Sequence, residues 1–162
     1  MTHWGARYFA VGLLVVVGAA PAPAPPAKQP QITPYESRMR HQFAHDYGIP
    51  EVYAKKRNPL SNTPQTWAWG AAVYTKQCAS CHGLSGEGKG PRAPGLATPP
   101  ANLAWFATLP ASKWDGFIYW TIAEGGEPFG TAMPAFKSTL QEKDIWAVTV
   151  FMRHTLGTTR RS

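Results

Sequence analysis

The sequence predicts an all-α domain, and three observations carry that expectation. Four segments are opened by a Thr- or Ser-based cap, and in three of them apolar residues recur at helical spacing. Gly- and Pro-rich stretches separate those segments and stop them. No strand ladder is evident. The part of the 162-residue chain after residue 64 is about the size of one small hydrophobic core.

The N-terminus reads as a targeting segment. Arg7 supplies a positive charge ahead of an apolar run of thirteen residues, Tyr8 to Ala20. A membrane span needs about twenty, so residues 1–20 are expected to be a secretory signal peptide, with an uncleaved N-terminal anchor as the alternative. Val17-Gly18-Ala19 has the small-residue pattern of a cleavage site. Protein from its native host should therefore lack about nineteen N-terminal residues by intact mass. A full-length mass recovered with the membrane fraction would establish the anchor instead.

Residues 21–63 read as a Pro/Ala-rich linker and a short helical extension. Pro21-Ala22-Pro23-Ala24-Pro25-Pro26 is a semi-rigid polyproline spacer. Thr33-Pro34-Tyr35-Glu36 then matches a capping box, and Tyr35, Met39, Phe43 and Tyr47 repeat on one helical face until Gly48 and Pro50. Such a helix either packs back on the domain, the reading we favour, or serves as a docking arm. Lys55-Lys56-Arg57 reads as a solvated basic turn.

The domain itself is expected over 64–157, with a basic tail at 158–162. Thr63-Pro64 opens a helix through Gln77, and Gly70 inside it costs about 1 kcal/mol against alanine. A close helix crossing would account for that cost, with Tyr74 one turn later against the other helix. Ser112-Lys113-Trp114-Asp115 is expected to cap a second helix, ended by Gly125-Gly126. Thr139-Leu140-Gln141-Glu142 is expected to cap the last one, which carries Ile145, Trp146, Val148, Thr149, Phe151 and Met152 and stops near Gly157. Val148-Thr149-Val150 alone suits a strand, but caps and length favour helix.

The chemistry lies in Cys78-Ala79-Ser80-Cys81-His82, a C-x-x-C-H run that uses both cysteines of the chain. Two thiols at this spacing can add to the two vinyl groups of one porphyrin, and the adjacent histidine then ligates the iron. A thioredoxin-type pair needs a strand before it, whereas a helical stretch precedes this one. A structural zinc site needs four ligands, and no second Cys/His pair stands at finger spacing. A simple disulfide gives His82 no role. The run predicts one covalent haem c, held through Cys78 and Cys81 with iron on His82.

Met133 is the candidate sixth ligand. It lies in Phe129-Gly130-Thr131-Ala132-Met133-Pro134-Ala135-Phe136, well downstream of His82. A thioether opposite an imidazole is common in electron carriers, and Pro134 stiffens the backbone beside it. A buried gap-filling methionine is the plainer alternative. Met39 precedes the domain, Met152 falls within a helix, and His41, His45 and His154 read as solvated or partly packed.

Gly83-Leu84-Ser85-Gly86-Glu87-Gly88-Lys89 fits G-x-x-x-x-G-K, but Gly90 follows where a phosphate loop has Ser or Thr. A flexible loop leaving the haem-attachment helix is expected there. All tryptophans but Trp4 fall between Trp67 and Trp146, an aromatic density that suits a large flat cofactor and an ordinary core alike.

Over about residues 64–156 the chain resembles the class I monohaem cytochromes c. The resemblance rests on Gly70 and Tyr74 before the C-x-x-C-H-Gly83 run, on Pro94-Gly95-Leu96, on Met133-Pro134, and on the closing helix with Trp146. It implies the class I cytochrome c fold, with helices wrapped around one covalently bound haem. It implies that the first and last helices cross at Gly70, against Trp146 or Phe151. It also implies that a proline carbonyl, Pro94 by spacing with Pro91 as fallback, accepts a hydrogen bond from the free nitrogen of His82.

The function implied is a one-electron shuttle between respiratory redox partners, with no catalytic residues of its own. Such partners include a membrane complex, a terminal oxidase or a reductase. The alternatives are a haem c subunit of a dehydrogenase or oxidase assembly, with residues 35–60 as an assembly arm, and a haem-based gas sensor. Covalent haem attachment occurs outside the cytoplasm in bacteria, so the expected location is the periplasm, free or tethered by the N-terminus. Without Arg7, Lys+Arg falls from 16 to 15 against 9 acids, a net charge of +6. That charge would steer the protein toward an acidic face or hold it near anionic lipid. Nucleic acid is not an expected partner of an exported haem protein.

Overall fold

Seven α-helices occur among the described residues: α1 (Arg40–Tyr47), α2 (Glu51–Ala54), α3 (Pro64–Gln77), α4 (Ala79–His82), α5 (Leu103–Phe106), α6 (Asp115–Glu124) and α7 (Glu142–Phe151). The computed structural model describes Met1 and residues 40–156. The leader, the Pro/Ala spacer, the Thr33 cap and the basic tail lie outside the described residues, apart from Met1. No described helix is long and apolar enough to cross a membrane, and no strand occurs among the described residues. The all-α expectation is met.

α3 begins where its cap predicts. The Thr63 side chain accepts from the Thr66 N–H at 3.3 Å, and Pro64, which has no N–H to orphan, takes the first helical position. α3 crosses α7 at Gly70. A Cβ there would overlap the Ala147 carbonyl and stand 2.7 Å from Phe151 Cβ. The crossing therefore needs glycine for close approach, which outweighs its poor helix propensity. One turn on, Tyr74 meets Phe151 with ring centroids 5.2 Å apart. Phe151 is thus the aromatic of the last helix at this crossing, while Trp146 packs on Tyr119 at 4.5 Å. Tyr74, Ile145, Trp146, Ala147 and Val148 are almost fully buried. Burying side chains of the larger kinds contributes about 1.5–3 kcal/mol each.

Two helix starts differ from their sequence signals. Residues Pro110–Lys113 form a 3₁₀ turn, and α6 begins at Asp115 with Trp114 as N-cap and no side-chain cap bond. The start is fixed instead by Asp115, whose carboxylate holds the Asn58 N–H at 2.7 Å and Arg153 at 2.6 Å. The box that opens α7 is Gln141 with Asp144, two residues beyond the Thr139 expectation; the Asp144 carboxylate accepts from the Gln141 N–H at 3.1 Å. Asp144 also accepts from Trp69 Nε1 at 3.0 Å, so this register ties α7 to α3. α7 ends in a π-helical turn, Met152–Leu156.

Residues 40–60 pack back on the domain rather than project. Phe43 is buried against Phe129 at 5.6 Å and Trp120 at 6.4 Å. Tyr53 donates to Glu124, and Asn58 Nδ2 donates to the Trp146 carbonyl at 3.0 Å. Lys56 is not merely solvated: it pairs with Glu142 at 2.8 Å and lies 4.6 Å from the Tyr119 ring centroid. His154, expected to be solvated or partly packed, stacks on Trp67 at 3.4 Å.

Candidate haem site

α3 runs directly into the C-x-x-C-H turn. Cys78 caps α3, its N–H donating to the Tyr74 carbonyl at 2.8 Å, and α4 carries Cys81 and His82. One tight turn thus presents both thiols and the imidazole together. Cys78 and Cys81 form no disulfide with each other, and both are only partly exposed. Burial, then the neighbouring Cys81, pushes the Cys78 thiol up to about 12. A cysteine poised for thiol–disulfide exchange has its pKa lowered instead. Among the described residues no strand precedes the run; it is the helix α3 that leads into it, which is not the thioredoxin context.

α4 is too short to satisfy its own carbonyls, and the following loop does so. The N–H groups of Arg92, Gly90 and Gly88 donate to the carbonyls of Ser80, Cys81 and His82 at 2.8, 3.0 and 2.8 Å. Gly90 has to be glycine for this, because a Cβ would stand 2.5 Å from the Ala79 and Ser80 oxygens. The Tyr74 hydroxyl closes the far side by donating to the Gly83 carbonyl at 2.7 Å. The loop expected to be flexible is instead laced to the turn it leaves.

That lacing corrects the Pro94 assignment. The loop consumes residues 83–92 in folding over α4, and Pro94 falls in a 3₁₀ turn, Ala93–Gly95. The chain returns past the imidazole at Ala101, whose carbonyl accepts from His82 Nδ1 at 3.0 Å. Ala101 is held there by its neighbours. Asn102 caps α5 by accepting from the Trp105 N–H at 2.8 Å, and the Gly86 carbonyl accepts from Leu103 and Ala104. A backbone acceptor has no side-chain signature, so only Asn102 as a cap could have pointed to it.

The donor set fits a covalent haem. With Nδ1 committed to Ala101, Nε2 is the nitrogen that would ligate an iron, and the carbonyl fixes the ring's orientation. Burial lowers the His82 pKa and so favours the neutral imidazole, the ligating form.

Met133 stands on a loop sutured to the C-terminal end of α6. Phe136 N–H donates to the Ile122 and Ala123 carbonyls, Lys137 N–H to Ala123, and Gly126 N–H to the Met133 carbonyl at 2.8 Å. Gly125 adopts φ +67°, and a Cβ there would press on Pro134, Ala135 and Met133 backbone atoms within 2.7 Å. Met133 is itself partly buried against the core.

No curated protein matches the chain. Among solved structures, a chain of the Kuenenia stuttgartiensis reducing HAO-like protein complex is similar at 27% identity with a TM-score of 0.49; the alignment covers 72% of this chain and 56% of that one. The profile of the family described as cytochrome C oxidase, cbb3-type, subunit III matches residues 65–152, from the first turn of α3 to the end of α7. With both thiols, the imidazole and the α3–α7 crossing inside that span, the chain belongs to this family and is a class I c-type cytochrome carrying covalent haem c.

Proposed function

We propose that the protein is a monohaem electron carrier whose haem iron would be held by His82 and Met133, exported to the bacterial periplasm and passing single electrons between respiratory redox proteins. Membership of a cytochrome c family supports haem-based electron transfer with protein partners. The observation that carries the ligand assignment is the lacing of the Met133 loop to α6 through Gly126. A ligand loop held at both ends reorganises little when the charge on the iron changes.

Haem iron supplies one-electron chemistry and the residues of the chain set its terms. Cys78 and Cys81 hold the group covalently. His82 is oriented by Ala101 and kept neutral by burial. The Met133 thioether raises the potential relative to a second imidazole. A net positive charge on the chain favours an acidic docking face.

The test is the absorption spectrum of the purified protein, oxidised and reduced, with and without carbon monoxide. The parent should show the weak near-infrared sulfur-to-ferric charge-transfer band and should bind carbon monoxide only slowly. Met133→His should abolish the band and lower the potential, and Met133→Ala should open the site to carbon monoxide. A parent that binds carbon monoxide readily, or a Met133→Ala variant that keeps the band, would put the gas-sensor reading or another ligand ahead.

A second reading, a haem c subunit of an oxidase assembly, is favoured by the description of the matching family. Residues 40–60 would not be its free arm, since they pack on the chain's own α6 and α7. A stable partner co-purifying from the native host distinguishes it from a free shuttle.

A further inference from the structure

Arg40 opens α1, outside the matched family segment, and its guanidinium turns into the domain. It donates to the Gly125 carbonyl and lies over two rings, 4.5 Å from the Trp120 centroid and 4.2 Å from that of Phe129. Its second terminal nitrogen, Nη1, is buried without a hydrogen-bond partner. Burial lowers its pKa to about 10, with Glu124 pulling the other way, so it remains a cation at neutral pH.

A long cationic side chain ordinarily keeps its head in water. Burying that head is costly unless something offsets it. Here the offset comes from the carbonyl end of α6, where the helix dipole is negative, and from the two ring faces. Glu124 lies close but is already bonded to Tyr53 and to Lys137, the latter at 2.6 Å.

The carbonyl that Arg40 grips belongs to the residue next to Gly126, whose N–H holds the Met133 carbonyl at 2.8 Å. Gly125 itself is in close backbone contact with Met133, Pro134 and Ala135. We propose that Arg40 is a positioning residue of the redox centre: it clamps the Gly125–Gly126 corner against the Met133 loop, and its fixed charge favours the reduced iron. The inference rests on Met133 being the sixth ligand. Reduction removes one positive charge from the iron, and a buried cation acts through low-dielectric protein where screening is weak. The residues preceding the family domain then belong to its redox machinery.

The experiment uses the full-length holoprotein. The parent spectrum is read first. A parent without the near-infrared band overturns the Met133 assignment and this proposal with it. With the band present, Arg40→Gln removes both charge and fork, whereas Arg40→Lys keeps the charge and loses the fork. Arg40→Gln should lower the midpoint potential, and its ferrous form should bind carbon monoxide about tenfold faster than the parent, the scale expected for one lost charge-assisted hydrogen bond. Arg40→Lys should regain most of the potential but keep the faster carbon monoxide binding. If both variants hold the parental potential and carbon monoxide rate and lose only thermal stability, Arg40 is merely structural and this proposal alone falls. Should Arg40→Gln fail to fold, a parental carbon monoxide rate in Arg40→Lys overturns it.

Discussion

Replacing Cys78 and Cys81 together by alanine is expected to abolish covalent haem and, with it, the folded domain. The two thiols are the only ones in the chain, so no other residue can form the thioethers. The structural loss follows from size. A core of roughly ninety residues is marginal by itself, because a small domain buries too little of its surface. A covalent haem adds apolar area that the side chains must otherwise supply. Each single variant keeps one tether and should retain some covalent haem. Haem staining after denaturing electrophoresis, with far-ultraviolet circular dichroism of the same samples, reads both claims. Haem that stays with the denatured double variant would refute the attachment; a native dichroism spectrum without haem would refute the structural dependence.

Much of the fold was legible because its signals are local. The Thr63-Pro64 cap fixes the start of α3 to the residue. Gly70 was readable as a crossing because glycine inside a good helix needs a compensating contact, and Ala147 provides it. The C-x-x-C-H run names its cofactor because few other chemistries need those three side chains at that spacing. The failures share a different cause: competing partners distant in sequence. Ser112 and Thr139 are reasonable caps, yet α6 starts where Asp115 can meet Asn58 and Arg153, and α7 where Asp144 can meet Trp69. Pro94 had the right spacing from His82, but ten residues of loop are laced to α4 first, so the acceptor is Ala101. Arg40 was invisible for the same reason, since its partners Gly125, Trp120 and Phe129 lie some eighty residues downstream.

Gly70→Ala should destabilise the domain by about 2 kcal/mol or more, although alanine is the better helix former. Two effects oppose each other. Intrinsic propensity favours alanine by about 1 kcal/mol. Against it, the new Cβ would overlap the Ala147 carbonyl and stand 2.7 Å from Phe151 Cβ. The first of these is backbone in the middle of α7, so it cannot turn aside as a long side chain would. Relief requires the two helices to separate, which loosens Tyr74 from Phe151 and the buried residues around Trp146. Overpacking of a tight core typically costs about 1–3 kcal/mol, and the close fit places this case at the upper end. Gly70→Val should be worse, since it adds bulk and a β-branch. Because small domains are stable by only about 5–15 kcal/mol, the loss should appear as a clear fall in the denaturation midpoint, followed by the haem absorbance and by tryptophan fluorescence. Since the nearest neighbours of the added Cβ are Ala147 and Phe151, neither of them a proposed ligand, Gly70→Ala should keep its near-infrared band under native conditions. A midpoint equal to or above the parent's would mean that propensity wins and that α3 and α7 do not meet backbone to backbone at Gly70.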